Sequence, residues 1–218
     1  PIFFVGLLLV LPWRSIWLFS AVFPIFVAVA IYFTLRSERS PKFFKEDKLM
    51  LGIGLRHWSR SEVLRSSIFW FAFPGLLGLP AFGTVLFFQQ VNYASLKGWD
   101  HLSMVKAYPI FTIVAVGISF LSGSLIDRYS AIKLIGFYQI PAILGFYIFS
   151  ICETLVGFSI GLIFFAITAG SNNIIPNAFW AECFGTTSLG KIKALAAGVM
   201  VVGSAFGPLI SSFLIDLN

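Results

Sequence analysis

Charge is what this chain of 218 residues has least of: Asp, Glu, Lys and Arg make up 11% of it. Hydrophobic residues make up 58%, and the mean hydropathy is +0.93, more apolar surface than one water-soluble core can cover. Cysteine is nearly absent: Cys152 and Cys183 fall at opposite ends of one expected span, so a disulfide or zinc site from this pair is not expected, and metals and cofactors are both expected to be none. The two histidines, His57 and His101, have no acid and nucleophile at a catalytic spacing, so no enzyme is expected. The net charge of +6 does not mark a nucleic-acid partner, because the bases flank apolar runs instead of clustering with aromatics in a polar module. No basic leader or small-residue cleavage site is present.

What is there is a series of apolar runs. Seven can be drawn: Ile2 to Leu11, Ile16 to Leu35, Ser67 to Gln90, Ala107 to Ile126, Ile132 to Ile151, Leu155 to Phe179 and Ala194 to Ile215. A spanning helix needs roughly 20 apolar residues. In hydrocarbon every backbone amide must be satisfied internally, so the runs predict helices. The fold class is therefore an all-α integral membrane protein, with the lipid bilayer as its first partner. The first run is about half a span long, so the chain, opening at Pro1, is expected to be a piece cut inside a helix.

Twelve of the fifteen Lys and Arg lie in alternate connections, 36–66, 127–133 and 182–193, which places those on the cytoplasmic side. The connection 36–66 is the one expected linker. Leu49 to Leu55 with Trp58, Arg56 and Arg60 reads as a stretch lying on an anionic lipid surface. Ser59-Arg-Ser-Glu62 reads as a capping box starting the next span.

Between two apolar runs lies Gly123-Ser-Leu-Ile-Asp127-Arg128-Tyr-Ser-Ala-Ile-Lys133. It resembles the loop signature of the major facilitator superfamily of transporters, Gly-x-Leu-x-Asp-Arg-x-Gly-x-Arg-Lys/Arg, with Ser130 in place of a glycine and Ile132 in place of a base. Trp13-Arg14-Ser15, the basic central loop, Trp180-Ala-Glu182-Cys-Phe-Gly185 and Gly190-Lys-Ile-Lys193 follow the order seen in that superfamily. The resemblance implies helices five to eleven of a twelve-helix bundle, incomplete: residues 1–35 ending the N-terminal bundle, 36–66 the cytoplasmic central loop and helix start, and 67–218 the C-terminal bundle without its last helix. It implies transport of a small solute by alternating access, in a multi-pass protein of the plasma membrane, with the remaining helices of a full-length transporter as partners. The alternative is a non-transporting receptor or scaffold with a transporter-like fold, for which a large soluble tail or an extended loop is expected.

Asp127 is expected to cap the helix after it, and Arg128 to reach Glu182. With Gly123 and Lys133, the resemblance makes these a gating cluster; fixing topology is the simpler role. No ionisable residue lies inside an expected span, which favours a neutral or weakly polar solute and leaves no proton carrier here. Polar candidates for solute contact are Gln89, Gln90 and Asn92 in one span, and Asn172, Asn173 and Asn177 in another, with Gln139 weaker; interhelical hydrogen bonding is the competing reading. Gly157 with Gly161, and Gly203 with Gly207, are spaced for close helix packing.

Overall fold

The computed structural model describes residues 11–35 and 51–216. The chain divides into two compact units, residues 1–48 and 49–218. Residues 2–10 of the first apolar run and the basic clusters at 36–48 lie outside the described residues. In the first unit, α1 (Trp13–Leu35) is apolar all round and includes Pro24. Trp17, Phe19, Phe23 and Phe26 are all exposed on it. A helix without a polar face is stable against lipid or other helices, not against water.

The second unit is helical throughout, with no strand among the described residues. Its elements are α2 (Arg60–Arg65), α3 (Ser67–Phe88), α4 (Gln90–Leu96), α5 (His101–Val105), α6 (Tyr108–Tyr129), α7 (Ala131–Leu134), α8 (Ile140–Ile151), α9 (Leu155–Asn172), α10 (Ile175–Phe184) and α11 (Leu189–Asp216). With α1, five stretches among the described residues are long and apolar enough to cross a membrane, and α8 is a shorter apolar helix.

Several boundaries differ from the sequence expectation, each for a local reason. The capping box forms, with Ser59 Oγ accepting from the Glu62 amide and Glu62 Oε2 from the Ser59 amide at 2.7 Å. It caps only the six-residue α2, however; the span begins afresh at Ser67, where the Ser66 hydroxyl accepts from the Ile68 amide. The run from Ile132 breaks at residues 135–139, leaving α7 and α8 as separate pieces. The run from Leu155 breaks after Asn172, because Pro176 has no amide to donate back to the Asn172 carbonyl, and helix then resumes as α10. The α11 helix starts at Leu189, a full turn before the expected Ala194. The described part of the expected lipid-surface stretch docks on protein instead: the Ile53 amide donates to the Cys183 carbonyl at 2.8 Å, and the Trp58 ring meets Phe184 edge-on. Gly52 lies there because a Cβ would fall 2.5 Å from that same carbonyl.

Packing follows two seams: α9 lies against both α6 and α8, and α11 lies against α3. Two apolar clusters sit at opposite ends. One gathers Phe149, Phe158, Leu162 and Phe165 around Met104 and Tyr108. The other gathers Phe69, Phe179, Trp180 and Phe184 around Val63 and Ile192. Between them runs a belt of hydrogen bonds. Thr168 Oγ1 accepts from the Ala142 amide at 2.8 Å, satisfying an orphan donor at the start of α8, and donates to the Tyr138 carbonyl at 3.1 Å. Ser119 donates to the Gly170 carbonyl, and Ser122 to Ser171. Lipid offers no competing partners, so such pairs and close packing, in place of a hydrophobic force, hold helices together.

The glycines mark where backbones touch. A Cβ on Gly207 would strike the Ala81 carbonyl, one on Gly203 would come within 2.7 Å of Leu77, and one on Gly161 would meet the Phe149 ring at 2.5 Å. Gly157 differs: its close neighbours are Cys152 and Thr154 in the α8–α9 turn, not a facing helix. Gly207→Val should therefore force α11 off α3 and destabilise by about 1–3 kcal/mol in detergent unfolding. Gly198→Ala, which meets open space on the same helix, should cost nothing. Equal midpoints for the two variants would contradict the seam.

The Ser59 hydroxyl and then the Ser59 amide hold the Glu62 carboxyl below its ordinary value of 4.5, with Arg56 assisting. A carboxyl that binds its proton less tightly when folded stabilises the helix start above pH 4.5 and loses that contribution as pH falls through the lowered value. A carbon-13 titration of Glu62 should give a midpoint under 4.5, returning toward it in Ser59→Ala. An unmoved midpoint would contradict the box.

Candidate functional site

The Asp-Arg turn is built differently from the sequence expectation. Helix α6 runs three residues past Ile126 and takes in Asp127 and Arg128, so Asp127 caps nothing and is exposed. The cap of α7 is Ser130, whose hydroxyl accepts from the Ile132 amide. Its backbone sits at φ +71°, a left-handed region costly for a residue with a Cβ and natural for glycine, which accounts for the glycine of the signature at this place.

Glu182 reaches this turn without meeting Arg128. Its carboxylate accepts from Ser130 Oγ at 2.5 Å, from the Ala131 amide at 3.0 Å and from the Ile132 amide at 3.3 Å. Three donors satisfy an acid at the edge of an apolar cluster, and the negative charge suits the amides it faces. Arg128 lies over the Tyr129 ring at 5.3 Å, and the two ion pairs among the described residues, Arg56–Glu62 and Lys97–Glu153, involve neither it nor Asp127. Gly123 faces open space, and Lys133 is exposed.

The polar candidates separate into two places. Gln89 Nε2 donates to Ser212 Oγ at 3.0 Å, tying α3 to α11, and Gln90 Oε1 accepts from the Tyr108 hydroxyl at 2.9 Å. Asn92 is half-buried on α4. These lie at one end of the unit. Ser212 and Lys193 are separated by roughly 28 Å along a straight α11, which puts the asparagines at the other end.

There a cleft of about 310 Å³ is lined by Asn172, Asn173, Pro176, Asn177, Trp180, Lys193, Ala196, Ala197 and Met200. Asn172 Oδ1 takes a bond from the Tyr138 hydroxyl at 3.3 Å, and Asn177 Nδ2 donates to the Asn173 carbonyl at 2.8 Å, one turn back. Trp180, 2% exposed, forms the floor. A larger cavity of about 520 Å³ beside α3 is mostly apolar, and its carboxamide, Gln139, is already committed to the Gly75 carbonyl at 2.6 Å and to Tyr138 at 2.9 Å. The asparagine cleft has in its wall the Asn173 carboxamide, which has no side-chain partner among the described residues.

Lys193, Trp180 and Met200 of this cleft escaped sequence reasoning, as did the clasp at Ser130. A serine followed by helix-forming residues was the available sign for Ser130. No signal placed Lys193, because its setting depends on where α11 begins. On the same face as the Glu182 clasp, His57 Nδ1 and Thr187 Oγ1 are 2.7 Å apart, joining the stretch before α2 to the α10–α11 connection.

No curated protein and no solved structure matches the chain. A sequence model described as the Major Facilitator Superfamily matches residues 1–217, nearly the whole length. With the all-helical fold and the apolar helices, that match shows that this is a multi-pass integral membrane protein, a transporter by descent, and that the chain belongs to the Major Facilitator Superfamily.

Proposed function

We propose that the protein moves a small solute across the plasma membrane by alternating access, with the asparagine cleft as a solute-contact surface and the Asp-Arg turn as a cytoplasmic latch. One observation carries this reading. The ten-residue helix α10 bears Asn177 and Trp180 on the cleft and Glu182 on the turn, so anything that moves α10 acts on both. In this reading residues 1–35 close an N-terminal bundle, 36–66 link it cytoplasmically, and 67–218 supply most of the C-terminal bundle. The twelve bases of the connections 36–66, 127–133 and 182–193 put the turn in the cytosol.

The latch acts through charge-assisted bonds. While Glu182 holds Ser130 and the Ala131 and Ile132 amides, α10 is pinned to the end of α6. Asp127 and Arg128, exposed and without ion pairs among the described residues, are placed to engage a facing surface when the bundles rock, with Lys133 alongside and Gly123 leaving room for close approach. Gln89 and Gln90 serve mainly as ties in this state.

The two roles give different kinetic signatures in the intact transporter. Asn173→Ala should raise the half-saturation concentration roughly 2–10-fold with little change in maximal rate, the worth of one or two hydrogen bonds. Glu182→Gln, Asp127→Asn and Arg128→Ala should lower initial uptake several-fold at unchanged half-saturation and membrane abundance. Uptake kinetics unaltered in Asn173→Ala would remove the cleft as a contact; unaltered rates in all three turn variants would remove the latch.

A further inference from the structure

Lys193 changes what the cleft can recognise. The apolar run begins at Ala194, which leaves Lys193 outside the expected span, but α11 starts at Leu189 and carries Lys193 in its second turn. There it is half-buried, with Ala196, Ala197 and Met200 continuing the same helix face into the cleft. Among the cavities described, this is the one with a charged side chain in its wall. No carboxylate among the described residues pairs with it: the two ion pairs lie elsewhere, and Glu182 is occupied by the 130–132 turn. A lysine half-buried along the cleft wall, its ammonium without a counter-charge among the described residues, offers a charge partner to an anion in the cleft. Across from it, carboxamides at Asn173 and Asn177 supply N–H donors of the kind that bind carboxylate and phosphate oxygens.

We propose that the cleft takes a small soluble organic anion, a carboxylate or phosphate monoester, with Lys193 Nζ as its charge partner, the asparagine amides as its hydrogen-bond partners and Trp180 beneath its apolar part. This rests on the cleft being a solute-contact surface and replaces the neutral solute favoured by the sequence alone. The volume, about 310 Å³, suits a compact molecule at the small end of ligand sites.

The test uses the purified chain in nanodiscs of zwitterionic lipid at low salt, with benzoate and phenyl phosphate as probes and benzamide and benzyl alcohol as their neutral counterparts. The anions should bind at least about tenfold more tightly than the neutral molecules. That preference should vanish in Lys193→Met, persist in Lys193→Arg, and be untouched in Lys191→Met, which alters an exposed lysine two residues away. Benzamide binding retained in Lys193→Met shows that the variant is folded. Equal binding of charged and neutral probes, both weakened by Asn173→Ala, would overturn the anion claim and leave the cleft standing. Probe binding that is absent, or indifferent to both Asn173→Ala and Lys193→Met, would overturn both. A loss of benzoate affinity on adding phosphatidylserine, down to the Lys193→Met level, would assign the cleft to a lipid headgroup and overturn the soluble anion.

Discussion

The break in the chain between Asn172 and Ile175 is the constraint on which the proposed functional face depends. Pro176 cannot donate to the Asn172 carbonyl, so the helix that began at Leu155 stops and α10 restarts on a new course. In lipid such an interruption is tolerable only where other groups satisfy the freed backbone or where it borders a cavity. Here the second condition is met: the cleft lies alongside, and Asn177 donates to the neighbouring Asn173 carbonyl. Because α10 is short, its two ends meet different surroundings, Asn177 lining the cleft and Glu182 gripping the turn.

The belt of polar contacts gives the same region its definition. Tyr138 lies within reach of both Asn172 Oδ1 and the Gly75 carbonyl, Gln139 donates to that carbonyl, and Thr168 serves the first turn of α8. The interrupted α7–α8 connection, the proline-bearing α3 and the α9–α10 break therefore meet at one level, between two apolar clusters of aromatic rings. Rings such as Phe149 and Phe158 at 5.3 Å, or Trp180 and Phe184 at 5.9 Å, fix the ends, while the middle is held by bonds that can exchange partners. In the alternating access proposed above, that division would leave the middle able to rearrange between fixed ends.

Much of the scaffold is legible in the residues. Long apolar runs, the Ser59–Glu62 box and the glycine pair 203 and 207 each carry a mechanism that does not need tertiary information, and the long described helices overlap the runs. Boundaries are harder, because an apolar onset is not a helix start: the polar turn Leu189 to Lys193 belongs to α11, and the resulting position of Lys193 cannot be read from composition. The turn misleads for a related reason. Asp127 reads as a cap if α6 ends at Ile126, yet the helix continues and the cap passes to Ser130, with Glu182 arriving from 50 residues away in sequence. Side-chain partners across such distances follow from packing, which no local pattern encodes.

If the break at Pro176 sets the course of α10, restoring the missing donor should let α9 and α10 merge and draw Glu182 away from its three partners. The Ala131 and Ile132 amides report this directly, since both donate to that carboxylate. Their hydrogen exchange, compared between the unsubstituted protein and Pro176→Ala, should accelerate markedly in the variant while α6 amides keep their protection. Unchanged protection at both amides would contradict the account.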